Sequence, residues 1–371
     1  MKKKGMMINM NSLDNEFDNI FFKYKLITYP DVVDKLLKDE MVSPINLEIN
    51  LTNLCNHNCI WCTYGYLHNT NDTLKSDVVF KLIDSAHNMG IKSITWTGGG
   101  EPTVHKDFLQ FIKYADKYGI KQGLNTNGAL LTDEMIDFIG KHFSYVRFSV
   151  DAGKSVTLIK CHKAKKDDFD KVISNIKRVS DVKKKSASKV IIGFSFLIDN
   201  SNIDDLIPAV EIASTLGINY IQIKPIVNNY SSNEQFSEES EMWRKLDTDF
   251  CKAKTFETET FKVRILEHKF TNIQKQQENY GRKYKKCVGC KVMASVGADG
   301  SVDLCCAYKG IKEWSIGNIN DKNFDDIWNN EKMKKLLKNV DICKCPPMCK
   351  ADEINRLINF IEEFDANKEF I

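Results

Sequence analysis

Six short β-rich runs alternate with five amphipathic helical stretches over the first 226 of 371 residues, and few folds satisfy that pattern. The runs are 45–51, 93–97, 123–125, 145–150, 190–198 and 220–223. Between them, apolar residues recur at helical spacing over 78–87, 108–118, 135–141, 169–179 and 206–216. Parallel strands need a crossover long enough to hold a helix, so this alternation predicts β/α units around a parallel sheet. The expected class is α/β, a partial (β/α)6 barrel, with its site on the loops past the strands' C-terminal ends.

A polar lead-in with one helix around 32–39 occupies residues 1–43, and the barrel core is expected over 44–227. Asn228-Asn-Tyr-Ser-Ser-Asn233 reads as a turn and marks a boundary. The stretch 228–285 is expected to be transitional, with a charged helical segment and a candidate short strand at 261–265. A smaller cysteine-rich domain and a C-terminal helix follow over 286–371. Lys+Arg number 53 against Asp+Glu 50, a balance that argues against a nucleic-acid or membrane partner. Met1-Lys-Lys-Lys-Gly5 is basic, but polar and acidic residues follow, so no secretory signal is read and a cytoplasmic location is expected. The twelve cysteines reinforce this, because they fall in two tight groups, Cys55/Cys59/Cys62 and Cys287 to Cys349, with Cys161 and Cys251 apart. A chain of this size needs no disulfide staples, so grouping favours metal or cluster ligation in a reducing compartment.

The first group stands directly past the first strand, in Leu54-Cys-Asn-His-Asn-Cys-Ile-Trp-Cys-Thr63. Three thiolates on one short loop can hold three irons of a 4Fe–4S cube and leave the fourth iron open to a small molecule. Just past the second strand comes Thr97-Gly98-Gly99-Gly100-Glu101-Pro102, where glycines let backbone approach a ligand and Glu101 can neutralise an ammonium group. A plain tight turn is the alternative reading of three glycines. Likewise Asn125-Thr-Asn-Gly128, past the third strand, is either an Asn-Gly turn or part of a site.

Cys-x3-Cys-x2-Cys with an aromatic before the last cysteine, followed about forty residues on by Gly-Gly-Glu, closely resembles the radical S-adenosylmethionine (SAM) enzymes. The resemblance covers roughly 44–226 and 287–350. It implies that Cys55, Cys59 and Cys62 hold the SAM-binding 4Fe–4S cluster. It assigns the methionyl amino group to Gly99, Gly100 and Glu101, and packing against the adenine to Trp61. Asn127 would lie near the cofactor. Phe148-Ser-Val-Asp-Ala-Gly153 resembles the family's Ser-(Leu/Val)-Asp element, which puts Ser149 near the ribose or carboxylate and Asp151 nearer the substrate. Lys224, at the end of the sixth strand, would point into the pocket and contact cofactor or substrate. His57 is read as a loop residue rather than an iron ligand.

Cys290, nine residues, Gly300, four residues and Cys305 resemble the opening of the SPASM and twitch extensions of that family. Ala298-Asp-Gly300 reads as a hairpin turn that brings the two thiolates to one end. Ile316-Gly-Asn-Ile319 and Asp326-Ile-Trp-Asn329 resemble the same extension, and Cys343-Lys-Cys-Pro-Pro-Met-Cys349 closes the group. A two-cluster SPASM domain would carry more cysteines after this point. The expected set is therefore one auxiliary 4Fe–4S cluster on Cys290, Cys305 and two of Cys343, Cys345 and Cys349. A second cluster using Cys287 and Cys306 is the alternative, and a structural zinc site is another. Cys161 and Cys251 are read as ordinary thiols, although a lone cysteine in the pocket could give a hydrogen atom to a substrate radical.

The resemblance implies reductive cleavage of SAM to a 5′-deoxyadenosyl radical, hydrogen abstraction from a C–H bond, and a flavodoxin- or ferredoxin-type electron donor. Two substrate classes compete. One is a small molecule of sugar, aminocyclitol or nucleotide type; the other is a ribosomally made peptide that is crosslinked or epimerised. Peptide maturases commonly carry a leader-binding domain ahead of the barrel, and the stretch before Ile45 is short for one, so the expectation leans to a small molecule. A non-catalytic iron–sulfur carrier or zinc-binding module is the reading from a different class.

Overall fold

The computed structural model describes residues 24–226, 240–274, 281–328, 330–346 and 349–364. The lead-in before Tyr24 and the turn expected at 228–233 lie outside the described residues. In chain order the elements are α1 Pro30–Leu37, β1 Asn46–Asn50, α2 Ser76–Asn88, β2 Ser93–Thr97, α3 Phe108–Lys117, β3 Lys121–Thr126, α4 Asp133–His142 and β4 Tyr145–Ser149. Next come α5 Ser155–His162, α6 Asp168–Ser186, β5 Ile191–Ile198, α7 Leu206–Thr215, β6 Tyr220–Pro225, α8 Glu241–Lys254, β7 Lys262–Ile265 and α9 Glu267–Gln274. The C-terminal part adds β8 Met293–Val296, β9 Ser301–Asp303, β10 Ser315–Asn318, α10 Phe324–Ile327, α11 Glu331–Lys338 and α12 Asp352–Glu363. No described helix is long and apolar enough to cross a membrane.

All six expected strands are present, in sequence order and parallel. The candidate strand in the stretch expected to be transitional is β7, which pairs parallel to β6 and continues the array. On the other flank, β8 pairs parallel to β1, and β9 and β10 add antiparallel strands, so the sheet runs β10-β9-β8-β1-β2-β3-β4-β5-β6-β7. The cysteine-rich part thus shares the barrel's sheet.

Helix formation follows local chemistry. In α4, the Thr132 hydroxyl accepts from Met135 N at 3.3 Å, acids Asp133 and Glu134 occupy the first turn, and Lys141 and His142 the last. That order complements the helix dipole. Helices cover one face of the sheet, where Leu47, Ile49, Ile94, Trp96, Val146, Phe148, Phe194 and Phe196 are fully buried. The alternate residues form the inner face and are largely polar: Glu48, Thr95, Asn125, Arg147, Ser149, Ser195, Gln222 and Lys224. Their registers are continuous, with Glu48 opposite Thr95, Asn125 opposite Arg147, Ser149 opposite Ser195 and Ser195 opposite Gln222. Because strand side chains alternate between faces, apolar positions fix the outer side and leave the inner side free for polar chemistry.

Candidate functional site

The loop carrying Cys55, Cys59 and Cys62 is gripped on two sides. From the turn after β2, Gly99 N donates to Asn50 Oδ1 at 2.8 Å, Gly100 N to Thr52 O at 3.0 Å, and Glu101 N to Leu54 O at 3.0 Å. A Cβ on Gly100 would stand 2.1 Å from Leu54 O, so close packing against the cysteine loop alone demands glycine there. From α5, the carbonyls of His162 and Cys161 accept from Asn58 N and Ile60 N, both at 2.9 Å. Inside the loop, His57 is buried with Nε2 3.2 Å from Asp168 Oδ2. Burial and the neighbouring His162 ring push the His57 pKa down to about 4, which leaves a neutral imidazole whose Nε2–H donates to the carboxylate.

All three thiols are partly exposed. Burial pushes Cys55 up to about 12, with the charges of Glu101 and Cys62 adding to the effect. Cys59 is raised by burial and then by Asp151, and Cys62 by burial. His68 Nε2 lies 2.8 Å from Gly99 O and 3.7 Å from Cys62 Sγ, linking the loop to the glycine turn. Among the described residues no three His, Cys, Asp or Glu side chains surround a single-ion position. A cube does not ask for that, since each thiolate binds a different iron. Three thiols that resist ionisation, within electrostatic range of one another and of two carboxylates, suit a cationic iron cluster.

Glu101 is buried, and its carboxylate accepts from Thr103 N at 3.1 Å, Thr103 Oγ1 and Thr126 Oγ1 at 2.7 Å, and Asn127 N at 2.8 Å. Burial raises its pKa despite these donors. No described lysine, arginine or histidine ion-pairs with it.

At the second group, Cys287 Sγ lies 3.4 Å from Cys290 Sγ, and the Cys290 thiol also meets that of Cys305. The Cys287 thiol is pulled down, first by its hydrogen bond with Cys290, while the Cys290 thiol is raised. Asn355 on α12 donates to Cys287 Sγ at 3.4 Å and accepts from Val288 N and Gly289 N. Burial raises Cys345 to about 12 and Cys349 to about 11, with further upward pushes from each other's neighbourhood, including Cys287 and Cys305. The buried Arg282 guanidinium binds the carbonyls of Cys345 at 3.0 Å and Pro346 at 2.6 Å, which pins that loop. The expected hairpin forms between β8 and β9, closed by Gly297 N to Ser301 O at 2.8 Å. Cys343 is exposed, and Cys306, raised to about 11 by burial, feels Lys350 and Glu48 as well as Cys305 and Lys309.

Residues 49–213 match the family model described as the radical SAM superfamily, and residues 287–351 match one described as an iron–sulfur cluster-binding domain, SPASM. The chain belongs to the radical SAM superfamily. Among curated relatives, a "Probable GTP 3′,8-cyclase" of Saccharolobus islandicus is 28% identical over 179 residues, 48% of this chain and 56% of the relative. The chain thus spans about half the length of the curated relatives it matches. The "Tungsten-containing aldehyde ferredoxin oxidoreductase cofactor-modifying protein" of Pyrococcus furiosus is 34% identical over 107 residues, 28% of this chain and 30% of that one. Among solved structures, SuiB of Streptococcus suis superposes with a TM-score of 0.62 at 15% identity, covering 85% of this chain and 73% of that one. The structure of anSMEcpe with bound AdoMet gives 0.55 at 17%, covering 84% and 88%.

The radical SAM core gathers most of the residues singled out by motif. Trp61 is buried with Cys59, Cys161, Leu197 and Ile226. The Asn127 amide donates to Asn56 Oδ1 at 2.8 Å, inside the cysteine loop, and its Oδ1 accepts from Ala129 N at 3.0 Å. Ser149 is partly exposed at the end of β4. Asp151 has φ 56°, and its carboxylate is engaged by His162 Nε2 at 2.9 Å and Leu197 N at 2.6 Å. Burial lowers Lys224 to about 7, with Arg147 next among the causes. Cys251 is exposed, away from this group. Motif reasoning missed Asn50, Asp168, Arg282 and Asn355. Asn355 had a signal, being a polar residue between Ile354, Leu357 and Ile358 on the apolar side of α12.

Proposed function

We propose that the protein is an enzyme that uses SAM to abstract hydrogen from a C–H bond of a small-molecule substrate. The observation that carries this is the Cys55/Cys59/Cys62 loop clamped between the glycine turn after β2 and the end of α5, with the uncompensated carboxylate of Glu101 beneath it. When bound, the cluster and SAM supply a low-potential electron and a primary carbon radical. The chain's own residues hold and orient. Cys55, Cys59 and Cys62 ligate the cluster, the backbone at Gly99 and Gly100 approaches the cofactor, and Glu101 meets its ammonium group. Trp61, Asn127, Ser149 and Lys224 border the same space. Asp151, with both oxygens engaged within the protein, serves as a brace for the loop through His162.

The thiol contacts support one auxiliary cluster on Cys287, Cys290, Cys305 and one of Cys345 and Cys349, which would take an electron from the substrate radical. This differs from the motif-based set by including Cys287 and setting aside Cys343. Cys287→Ser is expected to lower bound iron by about four per chain, while Cys306→Ser leaves it unchanged. Iron analysis of the two variants checks this.

A second reading is maturation of a ribosomally made peptide. It is favoured by the likeness to SuiB, which has been crystallised bound to its precursor peptide SuiA; the cyclase relatives favour the small molecule. Anaerobic cluster-loaded enzyme given SAM and dithionite is expected to form 5′-deoxyadenosine, read by chromatography. No product above a reductant-only control would overturn the enzymatic reading. A precursor peptide that protects the enzyme from heat where sugar nucleotides do not would move the substrate to the second reading.

A further inference from the structure

The inner face of the sheet carries two cations that no described carboxylate contacts directly. Arg147 on β4 and Lys224 on β6 both project there, one residue in phase with Ser149 and the other with Gln222. Neither makes a side-chain hydrogen bond or ion pair among the described residues. They act on one another through space, and Lys269 of α9 acts on Lys224 as well, so the three face a common volume. Lys269 sits at the rim, where Asp352 and Glu353 also reach it.

The acids nearby have other partners or are held back by burial. Glu48 is taken by Lys350 in a short ion pair. The Lys309 ammonium lies 4.7 Å from the centre of the Tyr64 ring and also feels Glu48. Asp303 is pushed up to about 7 by burial, Glu101 is raised by burial, and Asp151 is committed to His162. Glu48 reaches Arg147 and Asp151 reaches Lys224 through space, but Glu48 is shared with Lys350 and Lys309 and Asp151 is hydrogen-bonded to His162 and Leu197 N, so neither cation has a described carboxylate in contact with it, which is costly away from water.

Two further features describe what belongs there. Gly123 and Gly193 lie under the rings of Tyr145 and Tyr220, where a Cβ would come within 2.1 and 2.2 Å of ring atoms. The two tyrosines thus lie flat across the inner face and floor the space, with Tyr145 OH 3.3 Å from Thr95 Oγ1. Asn125, opposite Arg147 in register, has a buried Oδ1 with no hydrogen-bond partner. An unmet acceptor beside an unmet guanidinium suits a ligand that offers a hydroxyl next to an anion. A phosphate ester of a sugar has both, and a guanidinium matches phosphate oxygens in pairs.

We propose that this inner face binds a phosphorylated small molecule, a sugar phosphate or nucleotide, with Arg147 and Lys224 on the phosphate and Asn125 on a neighbouring hydroxyl. This rests on the reading above and narrows its substrate class. The test is calorimetric titration of cluster-loaded enzyme, unreduced and saturated with SAM, with ribose 5-phosphate, with ribose, and with an acidic hexapeptide. Ribose 5-phosphate is expected to bind and ribose not to. Arg147→Gln and Lys224→Gln are each expected to weaken binding by about tenfold or more, as loss of a hydrogen bond to a charged group does. Circular dichroism and iron content check that each variant is folded and loaded; should Arg147→Gln fail that check, Lys224→Gln carries the test. Equal affinity for ribose and its phosphate, undiminished binding in the variants, or binding of the peptide alone overturns the proposal. The 5′-deoxyadenosine assay on the same preparations judges the catalytic reading separately, since it needs no ribose phosphate.

Discussion

Cys59→Ala is expected to abolish 5′-deoxyadenosine formation, down to the level of a reductant-only control. Loss of an outer partner of a metal ligand costs ~10–100-fold in affinity or activity, and loss of a ligand itself should exceed that. Cys59 is partly buried against Trp61, Cys161, Leu197 and Ile226, and alanine there leaves no donor atom in place of the thiolate. Its neighbour Asp151 repels a thiolate, which makes the site dependent on the compensating charge of the cluster. The variant should lose about four irons per chain and keep the auxiliary cluster, because Cys287, Cys290 and Cys305 belong to a different part of the fold. Cys251→Ala, at an exposed position on α8, serves as the control and should retain both. Iron quantification, visible absorbance and product chromatography on the three proteins check this. Wild-type product levels in Cys59→Ala would remove the basis of the proposed chemistry.

Strand positions were legible because each is a short apolar alternation bounded by helical spacing. Residues 46–50, Asn-Leu-Glu-Ile-Asn, show the rule: Leu47 and Ile49 face the helices, and Asn46, Glu48 and Asn50 face inward. The cysteine loop and glycine turn were legible because their chemistry demands rare residues at short spacing. Less visible was the partnership between distant segments. Glu48 and Lys350 are 302 residues apart and meet only because β8 adds to the free edge of β1. The same docking explains how the smaller cysteine-rich domain, legible from its grouped cysteines, comes to extend the barrel's sheet. The proposed inclusion of Cys287 rests on a partnership of the same kind. Cys287 joins Cys290 through a tight turn whose amides are held by Asn355, a partner 66 and 67 residues downstream that spacing does not reveal. The charge of the inner face was hidden as well, since Arg147, Lys224 and Lys269 stand on three elements and register alone brings them together.

Gly100→Ala is the substitution with the largest expected effect outside the cysteines. The new methyl carbon would come 2.1 Å from Leu54 O and 2.7 Å from the carbonyl carbons of Asn53 and Leu54, all backbone, so no side-chain rotation can make room. Either the cysteine loop or the glycine turn must move, and both hydrogen bonds between them, Gly100 N to Thr52 O and Glu101 N to Leu54 O, lie at the contact. Overpacking of this kind costs about 1–3 kcal/mol, and each hydrogen bond lost adds about 1 kcal/mol. A lowered thermal midpoint follows, together with SAM affinity reduced by about tenfold or more, because the displaced segment connects Cys55 to Glu101. Gly65→Ala is the matched control. It borders the same loop, yet its added carbon would make only ordinary contact with Cys62 Cβ at 3.8 Å. Thermal denaturation and equilibrium binding of SAM, measured on both variants, separate crowding at the clamp from a general sensitivity of the loop. Should Gly100→Ala melt and bind SAM as wild type does, the two segments are not packed as tightly as the geometry requires, and the clamp cannot be what positions the site.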